Sequence, residues 1–143
     1  MEKSVNSSSC VAIGSATLNK LTSGDRNTAV GPSAGGGLLS GYQNVYIGNS
    51  SGYYHQSGGY NVFIGNYAGG SVADQSNTLY ISSTDSATDT PLIYGNFNAN
   101  GHNGGLVFSP VTDSQMNDIS LPRSGSMVYN TSLLTYYYYN GSA

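Results

Sequence analysis

A repeat of seventeen residues is the feature that most constrains the fold of this chain. Written in lines of seventeen from Cys10, the sequence gives five lines that begin CVAIG, NTAVG, NVYIG, NVFIG and TLYIS. Columns two and four are aliphatic apart from one Thr, and column five is Gly in the first four lines. A supersecondary unit repeated at a fixed interval is typical of a solenoid, in which each unit packs on its neighbours.

Each line predicts a short β-strand that ends at a corner. Alternating β-branched residues favour a strand over a helix, and the Gly that follows permits a positive φ at which the chain can turn. Identical corners stack the strands in parallel and in register, at about 4.8 Å per coil. The repeated Asn27, Asn44 and Asn61 are predicted to stack as a side-chain ladder or to cap a turn.

Column three predicts an oligomer. It contains Ala12, Ala29, Tyr46, Phe63 and Tyr80, which point away from columns two and four because strand side chains alternate. One apolar face fills the coil, and a partner chain is the simplest cover for the other. We expect a homotrimer with the aromatic third column at the contact between chains. The predicted core and interface residues are Ile13, Val30, Val45, Tyr46, Ile47, Val62, Phe63, Ile64, Tyr80 and Ile81.

The repeat lines resemble those of known surface fibres. NTAVGPSAG, NVYIGNSSG and NVFIGNYAG, followed by NTLYIS and PLIYGNF, resemble head repeats of trimeric autotransporter adhesins and, more closely, repeats of bacteriophage tail fibres. This resemblance covers residues 10–97 and implies a left-handed parallel β-roll in a bundle of three chains.

The last third of the chain has a different pattern. Residues 98–109 are rich in Gly and Asn and predict a linker. In residues 110–143, Thr112 and Gln115 have the spacing of a capping box on a short helical turn, and SMVYN and TYYYYN predict a β-hairpin. This segment resembles a small module of phage tail fibres and their assembly partners. Residues 1–9 are predicted to be a flexible segment. The expected fold class is therefore all-β: a parallel β-roll, then a hairpin module with one short helix.

Composition excludes several functions. Charged residues form 8% of the chain, the net charge is -3, and the four basic residues do not cluster, which argues against nucleic-acid binding. No segment has the apolar length of a membrane span or a signal peptide. Cys10 is the single cysteine and is predicted to pack as a small side chain rather than to form an internal disulfide.

Catalytic and metal-binding patterns are weak. His55 and His102 lack partners at metal-ligand spacing and are expected in solvent-facing loops. Asp85 and Asp89 could offer oxygen ligands to Ca²⁺, but an ordinary polar loop is the favoured interpretation. The sequence predicts no cofactor, no metal and no catalytic site, so an enzyme is not expected.

One aromatic group carries a functional hypothesis. Tyr53, Tyr54 and His55 lie in the longer connection between the third and fourth lines. Tyrosine offers flat apolar area and a hydroxyl, which suit recognition of a glycan or a protein. Packing between chains explains these residues equally well, so both interpretations stay open.

The sequence thus predicts a structural segment of a phage or phage-like tail fibre that supports attachment to a host surface. Its expected partners are its own copies, other fibre or virion proteins, and a glycan or protein of the host, and its expected place is the virion or an extracellular surface. The alternatives are a fragment of a bacterial trimeric surface adhesin and a monomeric glycan- or ice-binding solenoid.

Overall fold

The computed structural model describes residues 6–70, 73–83, 91–97, 105–108, 110–111, 127–130 and 132–138. These residues form β-strands joined by turns, and none of them is in a helix. The strands are β1 (Asn6–Ser8), β2 (Val11–Ile13), β3 (Ser23–Asp25), β4 (Thr28–Val30), β5 (Ser40–Tyr42), β6 (Val45–Ile47), β7 (Ser57–Gly59), β8 (Val62–Ile64), β9 (Thr78–Ile81), β10 (Ile93–Asn96), β11 (Gly105–Phe108), β12 (Pro110–Val111), β13 (Met127–Asn130) and β14 (Thr135–Tyr138).

The repeat folds as a solenoid with two strands in each coil. A larger sheet has the order β11-β10-β9-β8-β6-β4-β2, and a smaller sheet has the order β1-β3-β5-β7. From β2 to β9 the neighbours in the larger sheet are parallel, and Tyr46 pairs with Phe63 as Phe63 pairs with Tyr80. Each residue therefore lies beside its counterpart one repeat away. The predicted in-register parallel stacking is confirmed.

The turns between the strands are stacked in the same way. The amide of Gly35 donates to the carbonyl of Ser51 at 2.8 Å, and that of Gly52 donates to the carbonyl of Ala68 at 2.9 Å. These hydrogen bonds connect equivalent turns of successive coils. Since the turns satisfy their backbone groups on the neighbouring coil, as the strands do, the whole coil repeats rather than its strands alone.

The glycines of column five make this close approach possible. Gly31 and Gly48 have φ of 129° and 124°, a region that side chains of L-residues rarely adopt. A Cβ on Gly31 would lie 2.6 Å from the carbonyl oxygen of Gly48 in the next coil. Column five is therefore Gly for two reasons, the backbone conformation and the spacing of the coils.

The core is inside the coil and contains the central members of column three. Ala29, Tyr46 and Phe63 are completely buried, and aliphatic side chains from the turns complete the cluster. The rings of Tyr46 and Phe63 meet edge to face with centroids 5.6 Å apart, a favourable geometry. Room for these rings comes from Gly52 and Gly69, because a Cβ on either residue would collide with a ring.

An asparagine ladder runs along the interior. The amide oxygen of Asn27 accepts from the backbone N–H of Asn44 at 3.1 Å and from its side-chain Nδ2 at 3.0 Å. Asn44 and Asn61 repeat both bonds at 3.1 and 2.9 Å, and Thr78 closes the ladder on Asn61. Each side-chain amide also donates to the backbone carbonyl fourteen residues later, at Gly41, Gly58 and Gln75. The predicted ladder is confirmed, and it satisfies polar groups that are fully buried.

After β9 the parallel order ends. Strand β10 pairs with β9 antiparallel, and β11 pairs with β10 antiparallel. The ring of Tyr80 contacts that of Tyr94 with centroids 5.0 Å apart, so the aromatic stack continues from the coil into β10. A third sheet, β12-β13-β14, contains the hairpin of β13 and β14. These two strands correspond to the predicted SMVYN and TYYYYN strands.

Two strands lie in segments for which the sequence predicts a different structure. Strand β1, within the predicted flexible residues 1–9, pairs in parallel with β3, and β11 lies within the predicted linker 98–109. The domain boundaries stay predictions. The predicted helical turn at Thr112 and Gln115, the Asp85 and Asp89 loop, and His102 lie outside the described residues.

Candidate functional site

The outer face of the larger sheet is aliphatic. Columns two and four point outward from the coil, and Val11, Ile13 and Ile47 are 47%, 59% and 40% exposed. The other members are half-buried. We call this surface the aliphatic face; its residues are Val11, Thr28, Val45, Val62 and Leu79 of column two and Ile13, Val30, Ile47, Ile64 and Ile81 of column four. It presents an apolar strip, interrupted at Thr28, across five parallel strands.

The prediction that column three forms the contact between chains was wrong for its central members. Tyr46 and Phe63 have no exposed surface, because the coil is wide enough at Gly52 and Gly69 to hold their rings. Tyr80 is half-buried between Phe63 and Tyr94. The two faces of the strand are thus exchanged relative to the prediction: the aromatic column is the core, and the aliphatic columns form the outer surface.

His55 is also inside the coil, which contradicts the prediction of a solvent-facing loop and of a receptor contact. Its Nδ1 lies 2.7 Å from the hydroxyl of Tyr46, and its Nε2 lies 2.9 Å from the carbonyl oxygen of Gln75. A carbonyl can only accept, so Nε2 carries the proton and Nδ1 accepts from the Tyr46 hydroxyl. This arrangement describes a neutral imidazole with both nitrogens hydrogen-bonded.

Burial fixes the charge states of this pair. Desolvation lowers the pKa of His55, and the Gln75 carbonyl and the Asp74 carboxylate oppose that effect. Desolvation also raises the pKa of the Tyr46 hydroxyl far above its ordinary value of about 10. Both groups are therefore neutral at pH 7. Each is half of a buried hydrogen bond, and neither is in a position to act on an external substrate.

Tyr53 and Tyr54 remain at the surface. Their rings meet edge to face with centroids 5.0 Å apart, and Tyr54 is 52% exposed. They form one wall of a groove of about 280 Å³ that is also lined by Lys20, Gly37, Leu39 and Gln56. The structure therefore keeps two of the three residues of the predicted receptor contact together and separates the third from them.

The sequence contains signals for both features that were missed. His55 occupies the column of Leu21 and Leu38, which are buried, so its place in the repeat indicates a core position. Lys20, Gly37 and Tyr54 also share a column, and the missing side chain at Gly37 predicts a gap between its neighbours. Reading every column of the repeat, rather than its first five, would have found the buried histidine and the groove.

The C-terminal hairpin presents a smaller apolar surface. Tyr136 is 58% exposed and its ring centroid is 4.9 Å from that of Tyr129 across the two strands. Asn130 is buried, and its side-chain oxygen accepts from the amides of Ser132 and Leu133, both at 2.9 Å. This hydrogen-bonded turn holds the hairpin closed. Leu134 at its tip is exposed.

The stacked parallel strands define a β-solenoid protein. A family model described as a phage tail like trimerisation region matches residues 68–143, more than half of the chain, and the chain belongs to this family. The search of curated proteins and the search of solved structures gave no match. Family and fold together identify a phage tail-fibre-like protein with a structural role.

Neither a membrane helix nor a metal cluster occurs in the part of the chain that the structure describes. No described helix could cross a bilayer, and no three His, Cys, Asp or Glu side chains among the described residues lie close enough together to hold a metal ion. Cys10 is partly buried against the core, and its Sγ lies 3.8 Å from Nδ2 of Asn27.

Proposed function

We propose that this protein is a homotrimeric segment of a phage or phage-like tail fibre, and that the aliphatic face is the contact between its three chains. The observation that supports the proposal is the apolar outer surface of the larger sheet, found in a member of a trimerisation family. Large contiguous apolar patches are uncommon on soluble monomers, whereas they are usual at the contacts of obligate oligomers.

The shape of the aliphatic face suits a contact about a three-fold axis. Its residues recur on successive coils at about 4.8 Å, so three copies can meet along the whole length of the coil stack. Full burial of each Val, Leu or Ile side chain contributes about 1.5–3 kcal/mol. A chain of this size buries a limited fraction of its own surface, so association adds to its stability.

The role of such a trimer in attachment is mechanical. The backbone ladders of strands and turns join the coils, so each coil resists bending relative to the next. The trimer holds a contact surface away from the particle, and three copies of a weak contact bind more tightly than one through effective concentration. The virion, or an extracellular surface, is the place where such a segment acts.

Light scattering of the purified chain tests the trimer. We expect three times the mass of one chain for the wild type, and dissociation to monomers for Ile47→Asp, because this substitution places a carboxylate at the centre of the aliphatic face. Ser40→Asp is the matched control: Ser40 is an exposed strand residue of the smaller sheet. It should leave the mass unchanged.

Two results would contradict the proposal. A folded wild-type monomer at micromolar concentration would favour a monomeric solenoid and would leave the aliphatic face as a ligand surface. Equal dissociation of Ile47→Asp and Ser40→Asp would show that the contact is elsewhere or that any added charge disrupts it. Circular dichroism of both variants shows whether the β-structure is retained before the masses are compared.

A further inference from the structure

The groove beside Tyr53 and Tyr54 arises from a gap in the repeat. Lys20, Gly37 and Tyr54 occupy one column in three successive coils, and Gly36 and Tyr53 share the column before it. The central coil therefore has no side chain between the lysine of one neighbour and the tyrosine pair of the other. Leu39 and Gln56, which share the column two positions later, also line the groove.

The two glycines are explained by the close approach of neighbouring groups rather than by their own backbone conformation. Neither Gly36 nor Gly37 is among the residues with positive φ, so their φ values do not require glycine. A Cβ on Gly37 would collide with the carbonyl oxygen of Tyr53, and a Cβ on Gly36 would lie 3.4 Å from the Tyr53 ring. The Tyr53 ring thus lies beside Gly36, the Tyr53 carbonyl approaches Gly37, and the ring of Tyr54 stands edge to face beside that of Tyr53.

The charge of the groove is positive. Lys20 lines it, and no acidic residue among those that the structure describes does. Although the chain has a net charge of -3, Lys20 forms no salt bridge with any described residue, whereas Arg26 pairs with Asp25 at 3.2 Å. The side chain of Gln56, which carries an amide, lies at the same groove. An anionic group that enters between the lysine and the tyrosines meets the Lys20 ammonium group, and no carboxylate of the described residues lines the groove to oppose it.

We infer that this groove binds a carboxylated sugar unit of a surface glycan, such as a hexuronic acid. The apolar face of a sugar ring packs on Tyr54, its carboxylate lies toward Lys20, and its hydroxyls reach the amide of Gln56. The groove contains no residue of the aliphatic face, so trimer formation and sugar binding use different surfaces. The inference deepens the proposed attachment role and rests on it for the biological source of the sugar.

Ligand-observed saturation-transfer NMR with the full chain tests this inference. The probes are methyl glucuronide and methyl glucoside, which differ in the carboxylate. We expect the glucuronide to bind about two- to fivefold more tightly at low salt, the size of an exposed ion pair, and the difference to disappear at high salt. Lys20→Gln should abolish the preference. Tyr54→Ala should weaken both sugars about three- to tenfold, the size of an aromatic contact.

Tyr42→Ala is the matched control. Tyr42 is 43% exposed and meets Tyr60 edge to face at 5.3 Å, so it is a surface tyrosine pair of the same kind outside the groove. It should leave both affinities unchanged. No binding of either sugar, equal losses in Tyr42→Ala and Tyr54→Ala, or a preference that survives Lys20→Gln would each overturn the inference. A trimer that binds neither sugar overturns the sugar inference and leaves the fibre proposal in place. A monomer that binds the glucuronide overturns the trimeric fibre and leaves the sugar inference in place.

Discussion

His55 shows how one residue of a repeat can take a role that its chemistry alone does not suggest. Leu21 and Leu38 precede it in the same column, and all three side chains are buried. A polar ring can replace leucine there because Tyr46, in the same coil, supplies a hydroxyl and Gln75, in the next coil, supplies a carbonyl. Histidine and tyrosine thus enter the core together, and each satisfies the other.

This burial predicts a pH-dependent stability. In the unfolded chain His55 takes up a proton near its ordinary pKa of about 6.5, whereas in the folded chain burial lowers the pKa. The unfolded state therefore binds more protons, and the free energy of unfolding falls as pH drops below about 6.5. Urea titrations at pH 7 and pH 5 measure the loss.

The control for this pH dependence is His55→Gln, which removes the titrating group but keeps an acceptor and a donor. Its stability should change less between pH 7 and pH 5 than that of the wild type, whatever its absolute value. Carboxylates ordinarily titrate below this window, with a pKa near 4. An equal loss in the variant would assign the pH dependence to another group.

Residue-level prediction from the sequence succeeded where one residue type recurs on successive lines. Asn27, Asn44 and Asn61 are three successive members of column one, and a ladder is the arrangement in which identical amides at one coil spacing satisfy one another. His55 and Tyr54 were harder to predict, because each departs from its column. Their environment depends on which neighbours in the adjacent coils are large or small, and a single line of the repeat does not contain that information.

At the scale of the element, the strand and its corner are fixed by column five. Gly48 has a φ of 124°, and a Cβ there would collide with the carbonyl of Gly65 in the next coil. Gly48→Ala should therefore lower the free energy of unfolding by about 2–4 kcal/mol, from backbone strain and forced separation of the coils. Urea denaturation measures this loss.

The matched control is Asn49→Ala, at the exposed residue that follows. It should change the stability by less than about 0.5 kcal/mol, the usual range for surface substitutions. Similar losses in both variants would show that the corner tolerates a side chain and that glycine is not needed there for coil spacing.

The strands themselves were predictable, but the face that each one buries was not. Because strand side chains alternate, columns two and four lie on the opposite face of the strand from column three. Both faces are apolar, so the alternation does not show which of them is buried. The decision lies in the turns: Gly52 and Gly69 leave space for the rings of Tyr46 and Phe63. A column of large aromatic residues beside a column of glycines indicates that the rings fill the interior of the coil.

At the scale of the whole molecule, the solenoid is a stack of exchangeable coils. The backbone is alike at the two ends of one coil. Gln43 and Tyr60 have φ of 55° and 61°, and each precedes an asparagine of the ladder. Residues 44–60 also contain both Tyr46 and His55, so their removal leaves neither partner unpaired. One coil is therefore a unit that can be deleted.

Deletion of residues 44–60 should give a folded, shorter protein. Asn61 would then donate to Asn27 as it donates to Asn44, and Phe63 would meet Gly35 in place of Tyr46. Deletion of residues 45–60, one residue fewer, is the control: it shifts every later column by one position, so the ring of Phe63 faces solvent and the ladder is broken. Circular dichroism and thermal unfolding should show a cooperative β-protein for the first deletion and none for the second. Small-angle scattering should find the first shorter by about 4.8 Å, the spacing of one coil. If both deletions fold equally well, the register of seventeen residues is not what organises the stack.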